Sequence, residues 1–253
     1  MARKKRQPES AAHTLDDIEG LGDRLAVWVG ENAMLILSLA AGILIVAAIW
    51  GFSVQRMREA ESASGAALAI ALGDYRTAMG ATPGSIEIAE PANPETGRRV
   101  RSEFVERFEQ VAAEHAGTPA GALALLEAGK LQQTLGDTQA AAASYQRGAD
   151  SVSDAEPVRG FLLMRLGSVH ETEGAWAEAG GAYVSAGQIS EFPLRYEALA
   201  DAARSYARAG DRTRALDAFA QLESEAPGYK VVPYVEAQIA ELRGTPSPEP
   251  NPE

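Results

Sequence analysis

The chain contains no cysteine, and only 6% of its residues are aromatic. The absence of cysteine excludes disulfide bonds, thiolate catalysis and cysteine metal sites. A sequence poor in aromatic residues and rich in alanine favours helices packed through small side chains, because strands need more Val, Ile, Tyr and Phe. The chain has 3 histidines, none with a second ligand at metal-binding spacing, so neither a metal nor another cofactor is expected.

Basic residues are also scarce, with 23 Lys and Arg against 35 Asp and Glu and a net charge of −12. Beyond the first few residues no basic stripe is present, which argues against a nucleic-acid partner, because phosphate binding needs clustered positive charge. The acidity fits either a well-solvated surface or attraction to a basic partner.

One long segment, 32–55, carries no charged residue. Its apolar core, 34–54, can cross a bilayer interior of about 30 Å, which takes about 20 apolar residues as a helix. The preceding tail is long and acidic, and the run exceeds the apolar part of a signal peptide, about 7–15 residues. We therefore interpret 32–55 as an uncleaved transmembrane helix rather than a cleaved signal or a buried soluble helix. Residues 1–31 are predicted to be a tail with a short amphipathic helix over 14–31.

The orientation of this span follows from the basic residues around it. Four lie at positions 3–6 and a fifth is Arg24, whereas Arg56 and Arg58 follow the span. The positive-inside rule places the N-terminus in the cytoplasm and the longer C-terminal part outside it. The nearest flanks alone favour the opposite orientation.

The rest of the chain is predicted to be helical up to its last residues. Segment 56–118 reads as a helical hairpin with a long loop at 80–97, which contains proline and glycine without an apolar period. Segment 119–243 reads as three repeats and a capping helix. Segment 244–253 alternates proline with polar residues and is predicted to be an extended, solvated tail.

Within 119–243, a four-residue signature recurs with spacings of 38 and 36 residues between its glycines (174 − 136 and 210 − 174). These spacings lie close to the tetratricopeptide period of about 34. A small residue precedes each glycine by seven positions, an alanine follows by five and an aromatic residue follows by nine. The small residues, glycines, alanines and aromatic residues are, in that order, Gly129, Gly167 and Ala203; Gly136, Gly174 and Gly210; Ala141, Ala179 and Ala215; and Tyr145, Tyr183 and Phe219.

This signature predicts helical hairpins that stack. Glycine can adopt positive φ and end the first helix of each hairpin, and small residues allow close helix approach. Each hairpin leaves an apolar face uncovered, so neighbouring hairpins must pack together. The predicted fold is therefore all-α: one N-terminal transmembrane helix followed by a tetratricopeptide-like α-solenoid.

The layout resembles bacterial inner-membrane tetratricopeptide-like proteins of the YfgM type, ancillary subunits of the SecYEG translocon. The shared features cover about residues 14–243: a short tail, one span, a helix leading out of the span, and a terminal stack of repeats. The loop at 80–97 departs from the compact hairpin of that family. The resemblance implies a bacterial inner-membrane location, a periplasmic repeat domain, and the translocon and periplasmic chaperones as partners.

The first helices of such repeats line the concave surface of the stack, where a peptide or a partner's helix can bind. A solvated surface without a dedicated ligand is the alternative, and the asparagines that clamp a peptide's terminal carboxylate in known repeats are missing. The predicted partner-binding residues are Leu123, Leu126, Lys130, Gln133, Phe161, Met164, Ser168, Glu171, Glu197, Arg204 and Arg208.

No catalytic constellation accompanies this surface. The serines lack a nucleophile elbow and no phosphate-binding loop is present. We therefore expect a membrane-anchored interaction scaffold that is not an enzyme. The alternatives are a self-associating structural membrane protein and a regulatory subunit of a membrane enzyme.

Overall fold

A computed structural model describes residues 28, 32–82, 88 and 90–244, and at 33, 35–41 and 43 it describes the backbone alone. The described residues form helices, turns and connections without a strand, which confirms the all-α prediction for them. The chain divides into two compact units, Met1–Arg58 and Glu59–Glu253.

The described residues form nine α-helices. We number them α1 Ala33–Ala78, α2 Pro94–Glu114, α3 Pro119–Leu135, α4 Thr138–Asp150, α5 Pro157–Thr172, α6 Trp176–Gly187, α7 Arg195–Arg208, α8 Arg212–Glu225 and α9 Pro233–Arg243.

The first unit contains the N-terminal part of α1. Its described apolar side chains are exposed, from Leu44 through Trp50 to Phe52. Across the part of the chain that the structure describes, no helix combines the length and the apolarity needed to cross a membrane. The predicted tail at 1–31 lies outside the described residues except for Trp28, and so does the tail after Gly244.

The second unit begins with a helical hairpin made by the C-terminal part of α1 and by α2. The ring of Tyr75 meets Phe104 edge-on at a centroid distance of 5.3 Å, and Phe108 completes the cluster. Helix α2 begins at Pro94, earlier than the predicted start at 98. The side chain of Asn93 accepts a hydrogen bond from the amide of Glu95, so an Asn-Pro helix start shortens the predicted loop.

Three further hairpins follow: α3 with α4, α5 with α6, and α7 with α8. Each also packs on the next, because α4 contacts α5 and α6 contacts α7. Helix α9 lies against α7 and α8 and buries Val235 and Ile239. The apolar side chains form a series of clusters that run along the stack, as expected where each hairpin covers its neighbour.

The three repeat glycines end the first helices in the predicted manner. Gly136, Gly174 and Gly210 have φ values of 87°, 76° and 77°, which confirms the predicted left-handed caps. After the first of them, the amide of Asp137 donates to the carbonyl of Gln132 at 2.9 Å, the long bond of a Schellman motif. The same bond recurs at the equivalent positions of the other two repeats.

In the first two repeats, the small residue of the signature faces the aromatic residue of its own hairpin. A Cβ added to Gly129 would stand 2.3 Å from the Tyr145 ring, and one added to Gly167 would stand 2.7 Å from the Tyr183 ring. Such distances are too short for a methyl group, so glycine allows the two helices of the first and second repeats to pack closely around the ring.

Candidate functional site

The first helices of the three repeats lie side by side. Helix α5 contacts both α3 and α7 directly. We call the surface formed by α3, α5 and α7 the first-helix surface. It carries the residues predicted to bind a partner, and the structure places them in three different environments.

Three of the predicted residues pack between hairpins. Leu126 is buried in the central core cluster. Leu123 is half-buried between the first and central clusters, and Met164 is half-buried between the central and last clusters. These side chains join the hairpins, so their contribution to binding a partner stays a prediction.

Two polar residues on α3 have partners within the chain. The Lys130 ammonium lies 2.7 Å from the Glu127 carboxylate in a pair three residues apart on the helix. The Tyr145 hydroxyl donates to the side-chain oxygen of Gln133 at 2.6 Å. Burial raises the pKa of Tyr145 to about 12, so this hydroxyl stays protonated at neutral pH.

A polar network joins α5 to α7. The Glu171 carboxylate accepts hydrogen bonds from the Arg204 guanidinium and from the Ser205 hydroxyl, both at 2.7 Å. The same guanidinium donates to Asp201 at 3.0 Å. Ser205 is buried, and the other three side chains are mostly buried. The network therefore fixes the second repeat against the third.

Burial shifts the pKa values of two side chains at this network, Asp201 and Tyr183. It raises the pKa of Asp201 above its ordinary value, although the Arg204 guanidinium acts in the opposite direction. Burial also raises the pKa of Tyr183, and the nearby Glu171 and Asp201 carboxylates add to the effect. Both shifts follow from removing a charged form from water.

Three predicted residues remain exposed to solvent, and Ser168 is half-buried. Phe161 is 37% exposed and meets the buried ring of Phe192 edge-on at 5.0 Å. Glu197 is exposed near the start of α7. Arg208 lies over the Trp176 ring, with its guanidinium carbon 4.2 Å from the centroid. These three offer apolar, acidic and basic contacts on one helical surface.

The sequence analysis missed a pair of aromatic contacts at the N-terminal ends of α5 and α7. Phe192, in the connection after α6, packs on Phe161. Tyr229, in the connection after α8, packs on Tyr196 at a centroid distance of 6.0 Å. Each connection carries a proline and an aromatic residue close together, and extending the repeat register into the connections would have revealed this recurrence.

The described residues offer little else for chemistry. They contain no group of three or more His, Asp or Glu placed to hold a metal ion. An open cleft of about 420 Å³ lies between α1 and α2, lined by Asp74, Glu103, Glu106 and Arg107 among others. Arg107 and Asp74 form an exposed ion pair across it at 3.7 Å.

The solved structures described below share less than a fifth of their residues with this chain. No protein-family model matches it, and no curated protein matches it. A crystal structure of nearly identical TPR-like repeats from a candidate kinesin light chain of Podosopora anserina is 19% identical, with a TM-score of 0.43, and the match covers 58% of this chain and 79% of that chain. A single-substitution variant of the same protein is 18% identical, with a TM-score of 0.43 and coverage of 58% and 78%. The tetratricopeptide-like description of this chain rests on its own hairpins and caps.

Proposed function

We propose that this chain is a membrane-anchored, non-catalytic scaffold that docks partner proteins on its first-helix surface. The observation that carries the proposal is the side-by-side packing of α3, α5 and α7, which presents Phe161, Glu197 and Arg208 to solvent on neighbouring helices. Apolar and charged groups arranged along packed helices suit an extended peptide or a partner's helix.

The anchor in this proposal is the segment 32–55. Its support is the uncharged sequence of that segment and the exposure of its described apolar side chains, from Leu44 to Phe52. Exposed apolar side chains in a continuous run mark a surface that contacts lipid or another protein. Anchoring concentrates the repeats near other membrane proteins, so modest affinity suffices for docking.

The proposal extends to location and partners through the resemblance to YfgM-type proteins. In it, the N-terminal tail is cytoplasmic and the repeats face the periplasm of a bacterial inner membrane. The proposed partners are the SecYEG translocon and periplasmic chaperones. The basic residues at 3–6 support this orientation through the positive-inside rule.

Crosslinking in native membranes, followed by mass spectrometry, tests the docking surface. The test variant combines Phe161→Ala, Glu197→Lys and Arg208→Glu. The matched control combines Gln139→Ala, Asp217→Lys and Arg212→Glu, which are exposed positions on the second helices. We expect the test variant to lose its partner crosslinks and the control to keep them. Equal loss in both variants, or crosslinks to this chain alone, would contradict the docking surface and favour self-association.

Two measurements test the anchor and its orientation. We expect the full chain to stay in the membrane pellet after alkaline carbonate washing, and its release into the supernatant would reject a span at 32–55. In intact spheroplasts, added protease is expected to digest the repeats and spare an N-terminal tag. The reverse pattern would place the repeats in the cytoplasm.

A further inference from the structure

The first-helix surface carries more carboxylates than cations where α5 meets the first half of α7. The Arg204 guanidinium serves two carboxylates, Glu171 at 2.7 Å and Asp201 at 3.0 Å. Glu197 lies one turn before Asp201 on the same face of α7, is exposed, and forms no ion pair with any residue that the structure describes. Three carboxylates therefore lie beside one guanidinium.

The other positive side chains of α7 and of the connection after α8 leave this charge uncompensated. The Arg195 guanidinium pairs with Glu225. The Arg208 guanidinium lies over an aromatic ring of α6. Lys230 is exposed and forms no ion pair with Glu197 or with any other described carboxylate. The Glu197 carboxylate is therefore open to a cation from outside the chain.

Two aromatic rings border the same carboxylates. Tyr229 is 39% exposed, and its ring packs on Tyr196 at a centroid distance of 6.0 Å. Burial raises the pKa of Tyr229, and the Glu197 and Asp201 carboxylates lie close enough to add to the rise. The Arg195 guanidinium already lies over the Tyr196 ring, with its carbon 5.1 Å from the centroid, so this pair of rings accepts a cation.

Carboxylates beside an exposed ring select the chemistry of a ligand. Carboxylates attract an ammonium or guanidinium group, and the ring contacts both that group and the apolar stem of a lysine or arginine side chain. A metal ion would gain nothing from the apolar ring, and the described residues contain no group of three or more His, Asp or Glu placed to hold one. An acidic peptide would be repelled. The observations therefore favour a basic side chain.

We propose that Glu197, Asp201 and Tyr229 bind one lysine or arginine side chain of the partner segment that docks on the first-helix surface. We call these three residues the cation subsite. The cationic group binds the two carboxylates, and the apolar stem covers the Tyr229 ring. The assignment rests on the docking function proposed above. It adds that the partner segment places a basic residue at the third-repeat end of the surface.

Selection from a library of short peptides of random sequence tests the cation subsite. The full chain is immobilised in detergent, and the peptides that it retains are sequenced and aligned. We expect lysine and arginine to exceed glutamine about fivefold at one aligned position, because an exposed ion pair and a cation–ring contact each contribute modestly. Glu197→Lys reverses the charge of the subsite, so we expect it to select aspartate and glutamate at that same position.

The matched control is Asp217→Lys, an exposed position on α8. It changes the net charge by the same amount as Glu197→Lys, and a chain with a net charge of −12 attracts basic peptides in general. General attraction would fall equally in the two variants. We expect the control to keep the basic position, because only Glu197 belongs to the cation subsite. Circular dichroism checks that both variants keep the helix content of the unsubstituted chain.

Two results would overturn the cation subsite while leaving the docking function in place. One is a set of retained peptides without a basic position, and the other is the same change of preference in Glu197→Lys and Asp217→Lys. A full chain that retains no peptide at all would contradict the docking function itself, and the cation subsite with it. Tyr229→Leu separates the ring from the carboxylates, because it keeps an apolar side chain and is expected to lower the basic preference about twofold. An unchanged preference in that variant would reject the ring contact.

Discussion

A Cβ added to Gly180 would stand 2.7 Å from Cδ1 of Tyr206, whereas one added to the neighbouring Gly181 would stand 3.7 Å from the hydroxyl oxygen of the same side chain. Helix α6 of the second repeat therefore packs closely against helix α7 of the third where Gly180 meets the Tyr206 ring. Gly181 lies on the same helix, but the structure leaves room there for a side chain.

The two glycines lead to opposite stability predictions. Gly180→Ala is expected to lower the free energy of unfolding by about 1–3 kcal/mol, because the added methyl group overlaps the Tyr206 ring and forces the two repeats apart. Gly181→Ala is expected to leave it unchanged or raise it by up to about 1 kcal/mol, because alanine is the better helix former. Urea denaturation of the full chain in detergent, followed by circular dichroism, measures both. Equal effects of the two substitutions would show that the close approach does not limit packing.

A second prediction concerns a missing helix cap in the second repeat. Asp137 and Asp211 begin the second helices of their repeats, and each side chain accepts a hydrogen bond from the amide three residues later. Ala175 occupies the equivalent position and provides no side-chain cap. Ala175→Asn is expected to raise the free energy of unfolding by about 1 kcal/mol, since its amide oxygen can accept from the Glu178 amide.

The reverse change provides the control for this cap. Asp137→Ala is expected to lower the free energy of unfolding by about 1 kcal/mol in the same urea experiment. We choose asparagine at 175 because an aspartate there would add negative charge beside Glu173 and Glu178. A destabilised Ala175→Asn protein would mean that the half-buried site has no room for a larger side chain.

The features that local chemistry demands could be predicted from the sequence. Positive φ at Gly136, Gly174 and Gly210 was expected because only glycine adopts it without strain, and all three glycines have it. The small residues were expected to allow close helix approach, and Gly129 and Gly167 do so, although the rings they face belong to their own hairpins. The helix start at Asn93 could also have been predicted from the sequence, because an Asn-Pro pair provides both a cap and a first helical residue.

The outer surface of the stack was harder to predict, because it depends on how neighbouring repeats meet. Leu126 occupies a position expected to face a ligand, yet it is buried where the first repeat packs on the second. Glu171 and Arg204 were both expected on the binding surface, and each is partnered by the other. Such contacts join residues far apart in the chain, and the spacing of residues in a single sequence does not predict them.

The Arg204 guanidinium lies between two carboxylates, Glu171 at 2.7 Å and Asp201 at 3.0 Å, in a mostly buried site. Burial raises the folded-state pKa of Asp201 above its unfolded value of about 4. The stabilising contribution of this group is therefore fully present below about pH 4 and is lost as the pH rises through the folded-state pKa. The guanidinium limits that loss, because it lowers the pKa of Asp201.

Removing the guanidinium should therefore cost more at neutral pH than in acid. Arg204→Met is expected to lower the free energy of unfolding by about 2–3 kcal/mol at pH 7, because it leaves two partly buried carboxylates without a counter-charge. The loss should shrink as the pH falls through the raised pKa of Asp201, because the protonated side chain needs no counter-charge. Urea denaturation across this pH range measures the difference from the unsubstituted chain. The exposed Arg212→Met serves as the control, with a small loss that changes little with pH. If Arg204→Met instead cost the same free energy at every pH, the guanidinium would not affect the titration of Asp201, and Arg204 would contribute only through packing.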